Sequence, residues 1–249
     1  MQLNIYKDYT ELSGNAANAI IEFVKNKPDA VLCLAAGDTP RLTYELMVKK
    51  AIDENIYLGL CSFIGLDEWV GIPPHNQGSC QFFLQSNIFK PLGILSSQIH
   101  LFDALSANLQ LECRAMDKVI DEKKGIDLML VGVGMNGHIG FNEPGIPFDK
   151  YAHVVELDET TKSVGQKYFK ESTPIKRGIT LGMNHLLESS KLIMMASGTK
   201  KSGVIRQALE NEISPDLPAS IIRTHLNGFV MIDEEAAALL GERGGNGNR

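Results

Sequence analysis

Val131-Gly-Val-Gly-Met-Asn-Gly-His-Ile-Gly-Phe-Asn-Glu-Pro-Gly145 decides how this chain is read. An apolar run, Ile126 to Val131, leads into it as a buried strand, and glycines then interrupt the regular backbone. His138 and Glu143 follow on a segment too broken to be a helix. Titratable groups on irregular backbone beyond the end of a buried strand are where open α/β sheets carry their chemistry. The stretch is therefore read as a site.

The same residues contain a second pattern. Gly132-x-Gly134-x-x-Gly137 fits the dinucleotide-binding fingerprint, and Glu156 lies near the spacing expected of a ribose-binding acid. That fingerprint needs a helix to begin at once, so that its N-terminus can hold a pyrophosphate. Here Gly140, Pro144, Gly145 and Pro147 follow, and proline removes a backbone donor while clashing with the preceding turn. A nicotinamide or flavin site is not expected, and no cofactor is assigned.

Working outward, strand and helix signals alternate. Ala30 to Ala35 is a continuous apolar run, broken by Gly37-Asp-Thr-Pro40 before a helical spacing of Leu42, Tyr44, Leu46 and Met47. Tyr57 to Leu66 reads as a second buried strand ending at Asp67-Glu-Trp-Val-Gly71. Ser79 to Phe89 and Leu105 to Glu122 read as helices, and Lys191 to Ala196 as a strand ending at Ser197-Gly-Thr-Lys-Lys201. Ser202 to Leu209 is helical in pattern, and Gly228 to Ile232 is a late strand. Continuous apolar strands between helices imply α/β: a three-layer, Rossmann-like domain with a mainly parallel sheet and helices on both faces. No repeat or linker divides the chain, so residues 1–240 are taken as one domain and the glycine-rich residues 241–249 as a flexible tail. Tyr151 to Pro174, mostly polar, is the candidate for a small lid.

Bulk composition narrows the functional classes. Hydrophobic residues make up 44% and charged residues 22% of the chain, which suits a globular protein, and the net charge of −6 gives no general attraction for nucleic acid or anionic membrane. An anionic substrate must be held by local donors. Cys33, Cys61, Cys80 and Cys113 show neither a CxxC pair nor metal-ligand spacing, so no metal site is assigned and a reducing compartment is expected. With no basic-then-apolar leader and no membrane-length run, the expected location is the cytoplasm.

Four polar loops fall at expected strand ends. Gly37-Asp38-Thr39 suits a phosphate at a helix N-terminus, or equally a simple N-cap; the Asp38 carboxylate would repel phosphate unless it points away. Asp67-Glu68 offers a general base if its surroundings lift its pKa, or else a solvated acidic turn. His138 with Glu143 can form an imidazole oriented by a carboxylate. Lys201 can bring an ammonium to a phosphate, or lie in a solvated basic turn. His75, His100, His153, His185 and His225 are scattered and read as structural.

Together these loops resemble the glucosamine/galactosamine-6-phosphate isomerase family, the aminosugar-phosphate deaminases, over roughly residues 5–235. Gly134 to Gly145 is the most specific element, and Leu66-Asp-Glu-Trp-Val-Gly71 matches a second motif. Lys27 to Leu34, Arg177-Gly-Ile-Thr-Leu-Gly182 and Leu217-Pro-Ala-Ser-Ile look most like the galactosamine-6-phosphate branch. The resemblance implies a cofactor-free aldose–ketose isomerisation with loss of ammonia, acting on an aminohexose-6-phosphate. It implies Asp67 as the base at C2, His138 as the ring-opening group, and Glu143 as its partner. Asn136 stands where the family often has an aspartate. The resemblance places phosphate on Gly37, Asp38 and Thr39 with Lys201, and aligns Lys167 with a lid arginine.

Two rival readings stay open. A 6-phosphogluconolactonase resembles the family in fold and phosphate loop but usually lacks the glutamate of Asn142-Glu-Pro144. A non-catalytic sugar-phosphate sensor would typically carry a DNA-binding helix-turn-helix, for which no segment is left. The sequence does not decide the C4 epimer, nor between a monomer and a homo-oligomer.

Overall fold

The computed structural model describes residues 1–241. The tail expected to be flexible lies, apart from Gly241, outside the described residues. The strands are β1 (Gln2–Tyr6), β2 (Val31–Leu34), β3 (Ser62–Ile64), β4 (Asp67–Trp69), β5 (Ile99–His100), β6 (Leu128–Gly132), β7 (His153–Glu156), β8 (Arg177–Thr180), β9 (Lys191–Ala196) and β10 (Gly228–Asp233). Seven of them form a sheet in the order β1-β10-β9-β6-β2-β3-β5, with every adjacent pair parallel.

Helices are α1 (Tyr9–Asn26), α2 (Asp38–Asp53), α3 (Cys80–Leu84), α4 (Leu109–Glu122), α5 (Glu159–Gly165), α6 (Met183–Glu188), α7 (Ser202–Glu210) and α8 (Glu234–Ala237). The apolar runs read from the sequence serve both faces of the sheet. Leu32, Leu34, Leu128 and Leu130 pack in one cluster with Ile20 and Ile21 of α1 and Met47 of α2. Cys33, Met129 and Val131 point the other way, among Met116 and Ile120 of α4 and Ile205 of α7. Two-sided burial is why these strands are continuously apolar rather than alternating, and each fully buried large aliphatic contributes roughly 1.5–3 kcal/mol.

Several boundaries move for physical reasons. The run from Tyr57 to Leu66 is not one buried strand: pairing begins only at Ser62, while Tyr57 and Leu60 are 71% and 61% exposed. Asn55, at φ 52, turns the chain out of α2, and Leu58 to Cys61 closes a further turn before the strand starts. The helix expected from Leu105 starts at Leu109, because the Asn108 side chain accepts the amide of Leu111 at 3.0 Å and caps it. The helix expected over Ser79–Phe89 is α3 followed by a π turn at Gln85–Phe89.

A second sheet, β4-β8-β7, is antiparallel and was not anticipated. It places Asp67 opposite Thr180 at the start of β4, so Asp67 begins a new strand rather than merely trailing β3. Residues 151–174 comprise β7, α5 and a 3-10 turn at Gln166–Tyr168. In the large sheet, β2, β3 and β5 run outward on one side, whereas β6, β9 and β10 run outward on the other. The order reverses between β2 and β6, and the loops leaving those two strands open a crevice there.

Candidate active site

That crevice is a cavity of about 400 Å³, and Gly37, Asp38, Thr39, Asp67, Asn136, His138, Lys167 and Lys201 all line it. Glu143 lies just behind, almost fully buried. Chain positions as far apart as 37 and 201 therefore meet around one space.

At one end, helix α2 starts at Gly37, which sits at φ 133 and provides no side-chain cap. The N-cap alternative for Asp38 and Thr39 is thereby excluded: neither caps the helix, and both lie inside its first turn. An uncapped N-terminus presents amides and the positive end of the helix dipole to an anion. The Asp38 carboxylate is drawn aside, 2.7 Å from the Lys167 ammonium and 3.5 Å from the Arg41 guanidinium. Burial works most strongly, lowering the Lys167 pKa, but the hydrogen bond and charge of Asp38 together with Tyr168 outweigh it and the group ends above its ordinary value.

Lys201 reaches in from the 3-10 turn Thr199–Lys201 and donates to the Val133 carbonyl at 2.5 Å. Among the described residues no carboxylate pairs with it. Burial, assisted by the neighbouring Lys167 charge, lowers its ammonium to about 8. The loop before it is held by the buried Asp233, whose carboxylate accepts from the Ser197 hydroxyl at 2.5 Å and the Gly198 amide at 3.0 Å.

At the other end, Asp67 is partly exposed to the cavity. Burial of its carboxyl, with the charge of Glu68 beside it, pushes it up to about 7 against a hydrogen bond with the Cys80 thiol. Burial pushes Glu68 up to about 7 as well, against its backbone hydrogen bonds, so placement and not pKa distinguishes the two carboxyls. Glu68 is 1% exposed and accepts the amides of Trp69 at 2.9 Å, Cys80 at 3.0 Å and Gln81 at 2.9 Å. Glu68 thus satisfies orphan amides in the first turn of α3 and tethers that helix beside Asp67.

His138 is set by the glycine-rich turn. The dinucleotide pattern does not open a helix: the next helix among the described residues is α5 at Glu159. Its glycines serve packing instead. A Cβ on Gly134 would come within 2.2 Å of the His138 ring, and Gly137 and Gly140 adopt φ 85 and φ 57. Nδ1 of His138 lies 3.2 Å from Glu143 Oε2 and 3.0 Å from the Thr161 hydroxyl. Asn136 accepts the His138 amide at 3.2 Å and donates to Glu143 Oε2 at 2.8 Å. Burial raises the Glu143 carboxyl, but its bonds from His138, Thr161 and Asn136 together hold it below the ordinary range.

Three lining residues escaped the sequence reading. Cys80 touches Asp67; Thr161 touches His138; the Tyr168 hydroxyl lies 3.7 Å from where a Gly37 side chain would begin. The only local signal was Asp158, which caps α5 through the Thr160 amide at 2.8 Å and so fixes which face Thr161 occupies. No group of three or more His, Cys, Asp or Glu side chains among the described residues is arranged to hold a metal ion. No helix among them is long and apolar enough to cross a membrane.

Comparison with known proteins gives a consistent family. A model described as glucosamine-6-phosphate isomerases/6-phosphogluconolactonase matches residues 8–231. A glucosamine-6-phosphate deaminase of Bacillus pumilus (strain SAFR-032) is 36% identical over 240 residues, which is 96% of this chain and 100% of that protein. Among solved structures, a monomeric glucosamine-6-phosphate deaminase superposes with a TM-score of 0.93 at 35% identity, covering 96% of this chain and 100% of the other. A 6-phosphogluconolactonase from Trypanosoma brucei shares the fold, with a TM-score of 0.79 at 19% identity over 96% and 98% of the two chains. The chain belongs to the glucosamine-6-phosphate isomerase/6-phosphogluconolactonase family.

Proposed function

We propose that this protein is an aminosugar-phosphate deaminase, converting a hexosamine-6-phosphate to the ketose-6-phosphate with release of ammonia. One observation carries the reading: a carboxyl held near neutrality and an imidazole face the same cavity as an uncapped helix N-terminus and an ammonium. Full-length relatives named glucosamine-6-phosphate deaminase support it.

The division of labour follows from the two ends of the cavity. The phosphate binds on Gly37, Asp38 and Thr39, with Lys201 as its cation and Lys167 joining from the 3-10 turn. Binding at this remote group is converted into position at the reacting carbon. His138, oriented by Glu143, moves the proton that opens the pyranose ring. Asp67 then takes the C2 proton of the open form and delivers it to C1 through an enolamine. Water adds at C2 of the resulting imine, and ammonia leaves. A base with a pKa of about 7 suits that transfer at neutral pH. Asn136 holds Glu143 rather than adding charge to His138. Residues 151–174 act as the lid, carrying Thr161 and Lys167 over the substrate. The four free thiols support work in a reducing compartment such as the cytoplasm.

The lactonase reading needs no base at C2 and gives Glu143 no evident task, whereas here Glu143 is built into the histidine's surroundings. An ammonia-release assay on glucosamine-6-phosphate and galactosamine-6-phosphate, with 6-phosphogluconolactone alongside, separates the readings. Ammonia from either epimer supports the proposal and names the substrate. Lactone hydrolysis without ammonia favours the lactonase, and binding without turnover favours a sensor.

A further inference from the structure

We propose that Thr161 is a positioning residue for His138: its hydroxyl bridges the imidazole and Glu143 and makes the orientation of the ring depend on the placement of α5. The inference rests on the deaminase reading above for its catalytic consequence, but the hydrogen bonding stands by itself.

Two oxygens approach the same nitrogen, Glu143 Oε2 at 3.2 Å and Thr161 Oγ1 at 3.0 Å from His138 Nδ1. An ionised carboxylate only accepts, so the Glu143 contact requires a proton on Nδ1. The threonine hydroxyl must then accept from that same N–H and direct its own proton to Glu143, with which it is also hydrogen-bonded. The alternative tautomer would face Glu143 with a bare lone pair. In a neutral ring the proton on Nδ1 leaves Nε2 as the basic nitrogen on the substrate side.

Thr161 is not fixed by the loop that carries His138. It is 4% exposed on α5, which is seated by contacts at both ends. The N-cap Asp158 lies 3.5 Å from Asn136 Nδ2, and Gly165 packs so closely that a Cβ there would approach Trp69 to 2.8 Å. Just beyond, Lys167 is paired with Asp38 of the phosphate loop. One short segment therefore touches the ring-opening histidine and the phosphate end of the cavity. Seating of α5 at one end thus positions the imidazole at the other.

The test uses Thr161→Val, which keeps the shape and removes the hydroxyl, and Thr161→Ser, which restores it. Three readouts are taken: 15N-imidazole NMR of His138, kcat and KM for ammonia release, and affinity for the reduced, open-chain aminohexitol-6-phosphate, which needs no ring opening. The expected result is a protonated Nδ1 in both proteins, with its hydrogen-bonded 15N signal moved in Thr161→Val. Its kcat should fall about 10- to 100-fold, with open-chain affinity within about threefold and recovery in Thr161→Ser. An unmoved Nδ1 signal in Thr161→Val overturns the proposal, as does wild-type kcat. Parallel loss of open-chain binding would reduce Thr161 to a structural role and overturn it too. If the wild type releases no ammonia, the deaminase reading fails, and the NMR result still decides the hydrogen bond.

Discussion

Asp67 and Glu68 are consecutive, yet their carboxylates enter opposite environments. Glu68 is sealed against three backbone amides, whereas Asp67 opens on the cavity with the Cys80 thiol at its side. Alternation along β4 separates them, since successive side chains leave a strand on opposite faces. The first holds α3 in place; the second is free to meet a substrate.

Glu68→Gln should therefore be a stability variant. An amide supplies an NH₂ where a backbone N–H already points, so an acceptor is lost in a buried place. A loss of about 1–3 kcal/mol is expected, read as a lower urea midpoint. Unchanged stability would mean that these amides do not depend on the carboxylate.

Asp67→Asn should do the reverse, with a defined pH dependence. The folded-state pKa of about 7 lies above that of the unfolded chain, so Asp67 favours folding most below the unfolded value, roughly pH 4. That contribution fades as pH rises through about 7. The variant, which cannot ionise, should gain on the wild type between pH 4 and 7 and keep a constant advantage above, of about 4 kcal/mol. Thermal melts across that range measure it; a difference independent of pH would contradict the lifted pKa.

Catalysis should show the shifts at the two ends of the cavity. kcat/KM should rise with pH as Asp67 ionises near 7 and fall as Lys201 loses its charge near 8. Lys201→Arg keeps the charge at high pH and should remove the falling limb. Lys201→Met should raise KM about 10- to 100-fold at pH 7, the range expected for a charge-assisted hydrogen bond. A falling limb that persists in Lys201→Arg would assign it to another group.

Asp38 holds Lys167 at 2.7 Å, so a phosphate must compete for that ammonium. Asp38→Asn should tighten inorganic phosphate binding by about three- to tenfold, measured by calorimetry. Weaker binding would show that Asp38 arranges the cradle rather than opposing the anion.

Gly134 leaves no room for a side chain beneath the imidazole, since a Cβ would lie 2.2 Å from it. Gly134→Ala should displace His138 and lower kcat by about 100-fold or more, with the melting profile retained. Near-normal turnover would remove the need for His138 to lie where it does.

How much of this was legible follows from length scale. β2, β6 and β9 announced themselves because burial on both faces demands continuous apolar runs, and the loops after them carried glycine, acid, histidine and lysine. The second sheet was hidden: β4, β7 and β8 are three or four residues each, too short for a period to show. The phosphate loop stayed ambiguous because a cradle and a cap use the same residues, and only φ 133 at Gly37 separates them. Thr161 lies 23 residues from its partner, and a long-range hydroxyl contact leaves no spacing to read.

In the proposed reaction the Asp67 carboxylate moves the C2 proton of a phosphorylated aminohexose. Incubation in deuterium oxide, with exchange at C2 followed by proton NMR, tests it directly when wild type and Asp67→Asn are compared at equal phosphate occupancy. Exchange is expected in the wild type and none in the variant; exchange at the wild-type rate in Asp67→Asn would remove Asp67 from the base role.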